Sequence, residues 1–276
     1  LLVGLFMSQL LEPRETPALA WKRWLKVGAR LGVRQWLTLL PLSLVLGLAG
    51  GWFSAHSYSL GLLVLTSMSG VWQAMLLHTA ERSAAGKRVD LSTAWEGLMI
   101  FWKLPAGQAW QQIKARAVTS VVLACIMLLV LFLPLYLIAI NQPQPNPAPV
   151  RETTSWMLLL MYSSTWSTVF LWAWLLQRGG CLAMTNMLVR RYQLDWETAH
   201  RLQETAMLKN RHNFQPLSLL FIAGAMVLFF APWTVFFLEL LWVSVVTVMG
   251  RDIFESKEGL ESMEARVTAT TLASAR

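Results

Sequence analysis

Glu239 is the residue whose setting most needs a chemical explanation. It is the one charged side chain deep inside an apolar run, flanked by Phe236-Phe237-Leu238 and Leu240-Leu241-Trp242. A carboxylate in hydrocarbon costs on the order of 3 kcal/mol unless it is protonated, paired or facing water, and acids at such depth often mark ion or proton paths. A structural role competes with that one. The fourth apolar run offers Ser163, Thr165 and Ser167 as hydrogen-bond partners across a helix interface. A single acid with no second charge at depth makes a poor relay, so the structural role is expected and coupling to transport is the alternative.

Other chemistry is hard to find in the sequence. There is no glycine-rich phosphate loop, no pair of histidines with a carboxylate at metal-ligand spacing and no nucleophile elbow. His56, His78, His200 and His212 are scattered and expected in loops or at helix ends. Cys125 and Cys181 fall within or beside apolar segments, where a thiol packs as a small hydrophobe, so neither a disulfide nor a metal framework is implied. No catalytic residue, cofactor or metal is expected, and the chain reads as non-enzymatic.

The elements that would carry Glu239 are apolar runs long enough to cross a hydrocarbon core, which takes roughly 20 helical residues. Five occur, at 36–54, 60–79, 117–140, 153–176 and 215–250, in a chain with 55% hydrophobic and 14% charged residues. The last is too long for one crossing and holds Pro232 near its middle, so it divides into two helices joined by a tight turn. The expected fold is all-α, a polytopic membrane bundle of about six helices in three hairpins. Leu1 to Leu11 is apolar but short, with no basic region before it and no small-residue cleavage site, so it is not read as a signal peptide.

Lysine and arginine set the orientation. On alternate sides of these spans, 22 of the 23 basic residues fall on one side, and Arg151 stands alone on the other beside the proline-rich stretch 141–147. That places both termini in the cytoplasm. The net charge of +8 is then a topology signal, with no need for nucleic acid.

Each cytoplasmic segment opens with an acidic or hydroxyl-bearing motif: Glu15-Thr16-Pro17, Asp90-Leu91-Ser92-Thr93 and Asp195-Trp196-Glu197-Thr198. Such residues suit helix N-caps because their side chains accept hydrogen bonds from unpaired backbone amides. The single domain 1–276 therefore divides into three units, 16–80, 90–176 and 195–254, each an amphipathic interfacial helix followed by a hairpin, with a cytoplasmic tail at 255–276. The first interfacial helix sets Lys22, Lys26, Arg30 and Arg34 beside Arg23 on one face and Trp21, Trp24, Leu25, Gly28 and Leu31 on another. That pattern suits the headgroup layer, with anionic lipid as partner. The second is expected to break at Pro105, and the third, at 195–210, to project into the cytoplasm.

Gly47 and Gly51 form Gly-x-x-x-Gly in the first span and are candidates for close helix packing, within the chain or between copies. Trp166, Trp172 and Trp174, with Ser163, Ser164, Ser167 and Thr168, suggest a packing seam. Trp36, Trp52, Trp110, Trp156 and Trp233 lie where an aromatic belt is expected.

Three such units, the acidic caps and the ending Val248-Met249-Gly250-Arg251-Asp252-Ile253-Phe254 resemble a loose group of bacterial six-helix inner-membrane proteins. The layout is similar to the membrane domain of some glycerophosphoryl diester phosphodiesterases. The resemblance spans roughly residues 16 to 254 and implies an inner-membrane location. It carries over no catalytic residue, because the soluble phosphodiesterase part has no counterpart here. The leading expectation is an accessory or scaffold protein that assembles with other membrane proteins or with its own copies. The alternative is a transporter or exporter of a small or amphipathic solute using Glu239.

Overall fold

In a computed structural model of the chain, residues 11–56, 72–103, 181–228 and 235–255 are described, with isolated positions within 114–136, 162–177 and 261–265. Every regular element among the described residues is an α-helix. In chain order these are α1 (Ala20–His56), α2 (72–84), α3 (Leu91–Lys103), α4 (181–192), α5 (Trp196–Lys209), α6 (Arg211–Leu228) and α7 (Val235–Phe254). The expected second, third and fourth spans, the stretch 141–147, Trp110, Trp156, Trp172, Trp233 and the tail after 255 lie largely or wholly outside the described residues.

Local chemistry explains where several helices begin and end. Asp195 caps α5 by accepting the Thr198 N–H at 2.9 Å. Asp90 caps α3, its Oδ1 taking the Thr93 N–H at 2.9 Å and the Ser92 and Thr93 hydroxyls at 2.7 Å. Both answer to the acidic motifs in the sequence. After α2, Gly86 adopts φ 75°, and the Gly86 and Lys87 amides return to the Ser83 and Arg82 carbonyls, both at 3.0 Å. This left-handed stop is one a glycine makes without steric cost.

The first motif departs from the pattern. Thr16 is buried against the α5–α6 junction, and α1 is entered through a turn in which the Ala20 N–H reaches the Pro17 carbonyl and Leu19 takes φ 67°.

α1 turns by 80° between Ala20–Trp36 and Thr38–Phe53. Pro41 supplies a reason: it has no N–H for the Leu37 carbonyl one turn earlier, and its ring crowds that carbonyl. The span expected at 36–54 was drawn through this proline. No single described helix is long and apolar enough to cross a membrane, whereas the two arms of α1 together pass that test as a bent pair.

The run 215–250 is two helices, as expected from Pro232. They pack antiparallel, with the Phe221 and Trp242 rings 4.6 Å apart and Gly224 facing Leu238. α7 forms the axis of the bundle and is buried at every residue from Trp242 to Ile253. The first arm of α1 makes its most extensive contact with α7, running antiparallel from Trp24 at Asp252, through Gly28 at Val245, to Trp36 at Phe237. α2 runs parallel to α7, with Trp72 at Phe236 and Gln73 at Glu239.

These registers give the bundle two ends. Toward the bend end, α1 and α6 expose apolar side chains: Val33 and Trp36, then Leu44, Val45, Leu48 and Trp52 on the second arm, and Leu219, Leu220 and Val227 on α6. At the other end Lys22, Lys26, Arg191, Arg211 and His212 are exposed.

Candidate functional site

Glu239 projects from α7 into the bundle and is 1% exposed. Gln73 Nε2 donates to its Oε1 at 3.2 Å. One to two turns further along, the Thr79 hydroxyl donates to Gln35 Oε1 at 2.9 Å, and Gln35 Nε2 donates to Ser244 Oγ at 3.4 Å and to the Leu31 carbonyl at 3.1 Å. The result is a buried polar ladder linking α1, α2 and α7. Its groups are hydrogen-bonded across helix interfaces, as burial in a low-dielectric interior demands.

Ser163 and Ser167, the partners expected for Glu239, are exposed, as is Trp166, and the hydrogen bond seen at Glu239 Oε1 comes from Gln73. A glutamine in an apolar run is the signal that identifies this partner, and Gln73 follows Trp72 in the sequence read as the second span.

In the second arm of α1 Gly47 is buried and Gly51 half-buried. A further Gly-x-x-x-Gly, Gly28 and Gly32 in the first arm, makes a close backbone approach to α7. A Cβ on Gly28 would lie 2.6 Å from Val245 Cγ2 and 2.7 Å from Val245 Cα, while one on Gly32 would stand at 3.4 Å from Leu240. Trp24, Val27 and Leu31 complete that buried face.

The apolar side of the basic helix is therefore covered by protein. Lys22 and Lys26 are exposed, and Arg23, Arg30 and Arg34 are half-buried. Their helix lies along α7, with Gly28 on Val245 and Gly32 on Leu240. Trp21 is half-buried and carries the Lys22 ammonium 5.7 Å from its ring centre.

At the far end of the bundle a second polar cluster holds the extended segment before α1. Asn210 Oδ1 accepts the Thr16 N–H at 2.8 Å and the Thr16 hydroxyl at 2.7 Å, while its Nδ2 donates to the Arg14 and Ala206 carbonyls, each at 3.0 Å. Asn213 Nδ2 donates to Thr16 Oγ1 at 3.0 Å and to the Pro17 carbonyl at 2.8 Å. Both asparagines are buried, and the Asn210 amide uses its full hydrogen-bonding capacity. On the α7 side the Trp24 indole donates to Asp252 Oδ2 at 2.7 Å, and the Arg14 guanidinium lies 3.2 Å from Oδ1.

A third cluster joins α2, α3 and α4. The Arg190 guanidinium donates to His78 Nδ1 at 2.9 Å, which assigns the imidazole proton to Nε2, 3.5 Å from the Glu96 carboxylate. His78 is thus in a helix interior rather than at an end. Arg190 also lies 3.8 Å from Glu81. Burial pushes the Glu81 carboxyl above its ordinary range against the pull of Arg190 and Arg191, and burial lowers Arg190. Arg191 pairs with Glu255 at 2.7 Å.

α5 does not project away from the bundle. Ala199, Gln203 and Ala206 bury one face, and Thr185 of α4 bonds Gln203. Among the described residues no group of three His, Cys, Asp or Glu side chains could hold a metal ion. No family model matches the chain, and neither a curated protein nor a solved structure matches it.

Proposed function

We propose that this chain is a multi-pass membrane protein of accessory or scaffold type, without enzymatic activity, whose bend end lies in hydrocarbon and whose opposite end lies in the cytoplasm. The observation that supports the membrane placement is the axial division of the surface. Val33, Trp36, Leu44, Val45, Leu48, Trp52, Leu219, Leu220 and Val227 are exposed together at one end, and the exposed lysines and arginines of α1, α4 and α6 lie at the other. Exposed apolar surface gathered at one end is what a protein in water keeps small. The accessory reading rests on Glu239, which is buried in the helix interface and accepts a hydrogen bond from Gln73 at Oε1.

The test is a complementation experiment on cells lacking the chain. Glu239→Gln preserves hydrogen bonding and removes the titratable group, so the variant should resist extraction by alkaline carbonate and restore the wild-type phenotype. Release into the carbonate supernatant overturns the membrane placement. Full membrane retention with complete loss of complementation overturns the structural role and promotes proton-coupled transport.

A further inference from the structure

We propose that α3 is a surface-inserting helix, its Leu91, Trp95 and Met99 dipping into the acyl boundary of an anionic membrane with Lys87 and Arg88 on the headgroups. This rests on the membrane placement proposed above and names a lipid site on the second unit, whereas the sequence pointed to the first.

The rotation of α3 about its axis is fixed by the protein. Ala94 and Thr93 are buried, and Gly97 meets α2 so closely that a Cβ there would lie 2.8 Å from His78 Cβ and 3.2 Å from Met75 Cα. The opposite side then carries Leu91, Trp95 and Met99 at successive turns, 52%, 57% and 40% exposed. The three side chains form one outward apolar stripe.

Two observations choose lipid as the occupant. The first is depth. Thr38 Oγ1 donates to the Val89 carbonyl at 3.3 Å, which ties the entry of α3 to the bend of α1, and Gly97 packs beside His78, one residue before the Thr79 that bonds Gln35. The stripe therefore lies at the level of Val33 and Trp36, where the exposed apolar surface of the bundle begins. The second is charge. Lys87 and Arg88 are exposed directly ahead of the stripe, while the carboxylate of Glu96 is turned to His78 at 3.5 Å and Arg82 at 3.9 Å, and Asp90 is engaged as the cap. Tryptophan beside cations at such a level suits the headgroup boundary.

Site-directed spin labelling tests this in the full chain carrying Cys125→Ser and Cys181→Ala, reconstituted into vesicles of equal parts phosphatidylcholine and phosphatidylglycerol. Labels at Leu91→Cys, Trp95→Cys and Met99→Cys should collide several-fold more with oxygen than with a water-soluble nickel chelate, and a label at Lys22→Cys should show the reverse. Adding Lys87→Gln with Arg88→Gln, or omitting phosphatidylglycerol, should shift position 95 toward the chelate. A reference label at Leu48→Cys keeps the two proposals apart. Chelate-dominated collisions at 95 with oxygen-dominated ones at 48 overturn the α3 insertion alone, and chelate dominance at both overturns the membrane placement as well. Protection of 95 from both reagents assigns the stripe to a protein partner and overturns the lipid assignment. Oxygen dominance at 95 that is unchanged without phosphatidylglycerol overturns the anionic headgroup contact.

Discussion

The first arm of α1 and the short α3 carry the same kind of sequence, an amphipathic helix with cations and tryptophan beside an apolar run, yet they spend their apolar faces differently. Trp24, Gly28 and Leu31 are sealed against α7, while Leu91, Trp95 and Met99 face out. An amphipathic pattern records that a helix has an apolar side. What covers that side depends on a surface elsewhere in the chain, here Val245 and Leu240 for α1.

Breaking the covered face should have the largest effect. Gly28→Ala drives a methyl into the Val245 backbone, where no side-chain rotation relieves it, so a loss of about 3 kcal/mol in detergent unfolding is expected. Gly32→Ala, with ordinary clearance to Leu240, should be near neutral. Equal losses at the two positions would show that α1 does not ride on α7 in this register.

A smaller effect is expected from Trp24→Phe, which keeps most of the ring in the same interface and removes the donor to Asp252 Oδ2. The bond is buried and charge-assisted, so about 2 kcal/mol should be lost in the same assay. An unchanged midpoint would mean that apolar contact alone holds the arm.

The least effect is expected on the uncovered helix, through its cap. Three hydrogen bonds, from the hydroxyls of Ser92 and Thr93 and the Thr93 amide, hold the Asp90 carboxyl at about 2, below its ordinary 3.8. Because the folded-state value is the lower one, the cap contributes above about pH 4 and its contribution is lost as the pH falls toward 2. Acid titration should therefore loosen α3 within that window, read as proteolytic cleavage near residue 91, and Asp90→Asn should remove the pH dependence. A window that survives in Asp90→Asn would assign it to another acid.

Much of the helical framework was legible in the sequence, because helix starts and stops are local events. Asp90 and Asp195 cap as their motifs suggest, and the run around Pro232 is two helices. Pro41 is equally local, but an apolar run reads as continuous through a single proline. Pairings between distant segments were not legible. Thr16 has the look of a cap but meets Asn210, 194 residues away, and Glu239 meets Gln73, 166 residues away. Gly28 stands on the apolar face that the sequence shows, but its partner Val245 is 217 residues away. Periodicity identifies the face of a helix, and the neighbour on that face is set by a register that no short motif encodes.

The asparagine clasp has a consequence for biogenesis. Thr16 and Arg14 leave the ribosome well before their partners, because Asn210, Asn213 and Asp252 follow about 200 residues later, at separations of 194, 197 and 238. At typical elongation rates that is a delay of roughly 10–40 s. Through this interval the amide of Thr16 and the guanidinium of Arg14 lack the partners that hold them in the folded chain. The first arm of α1 likewise has no Val245 to receive Gly28. The segment before α1 is thus made early and locked late, and its docking closes the bundle only after α7 has been delivered.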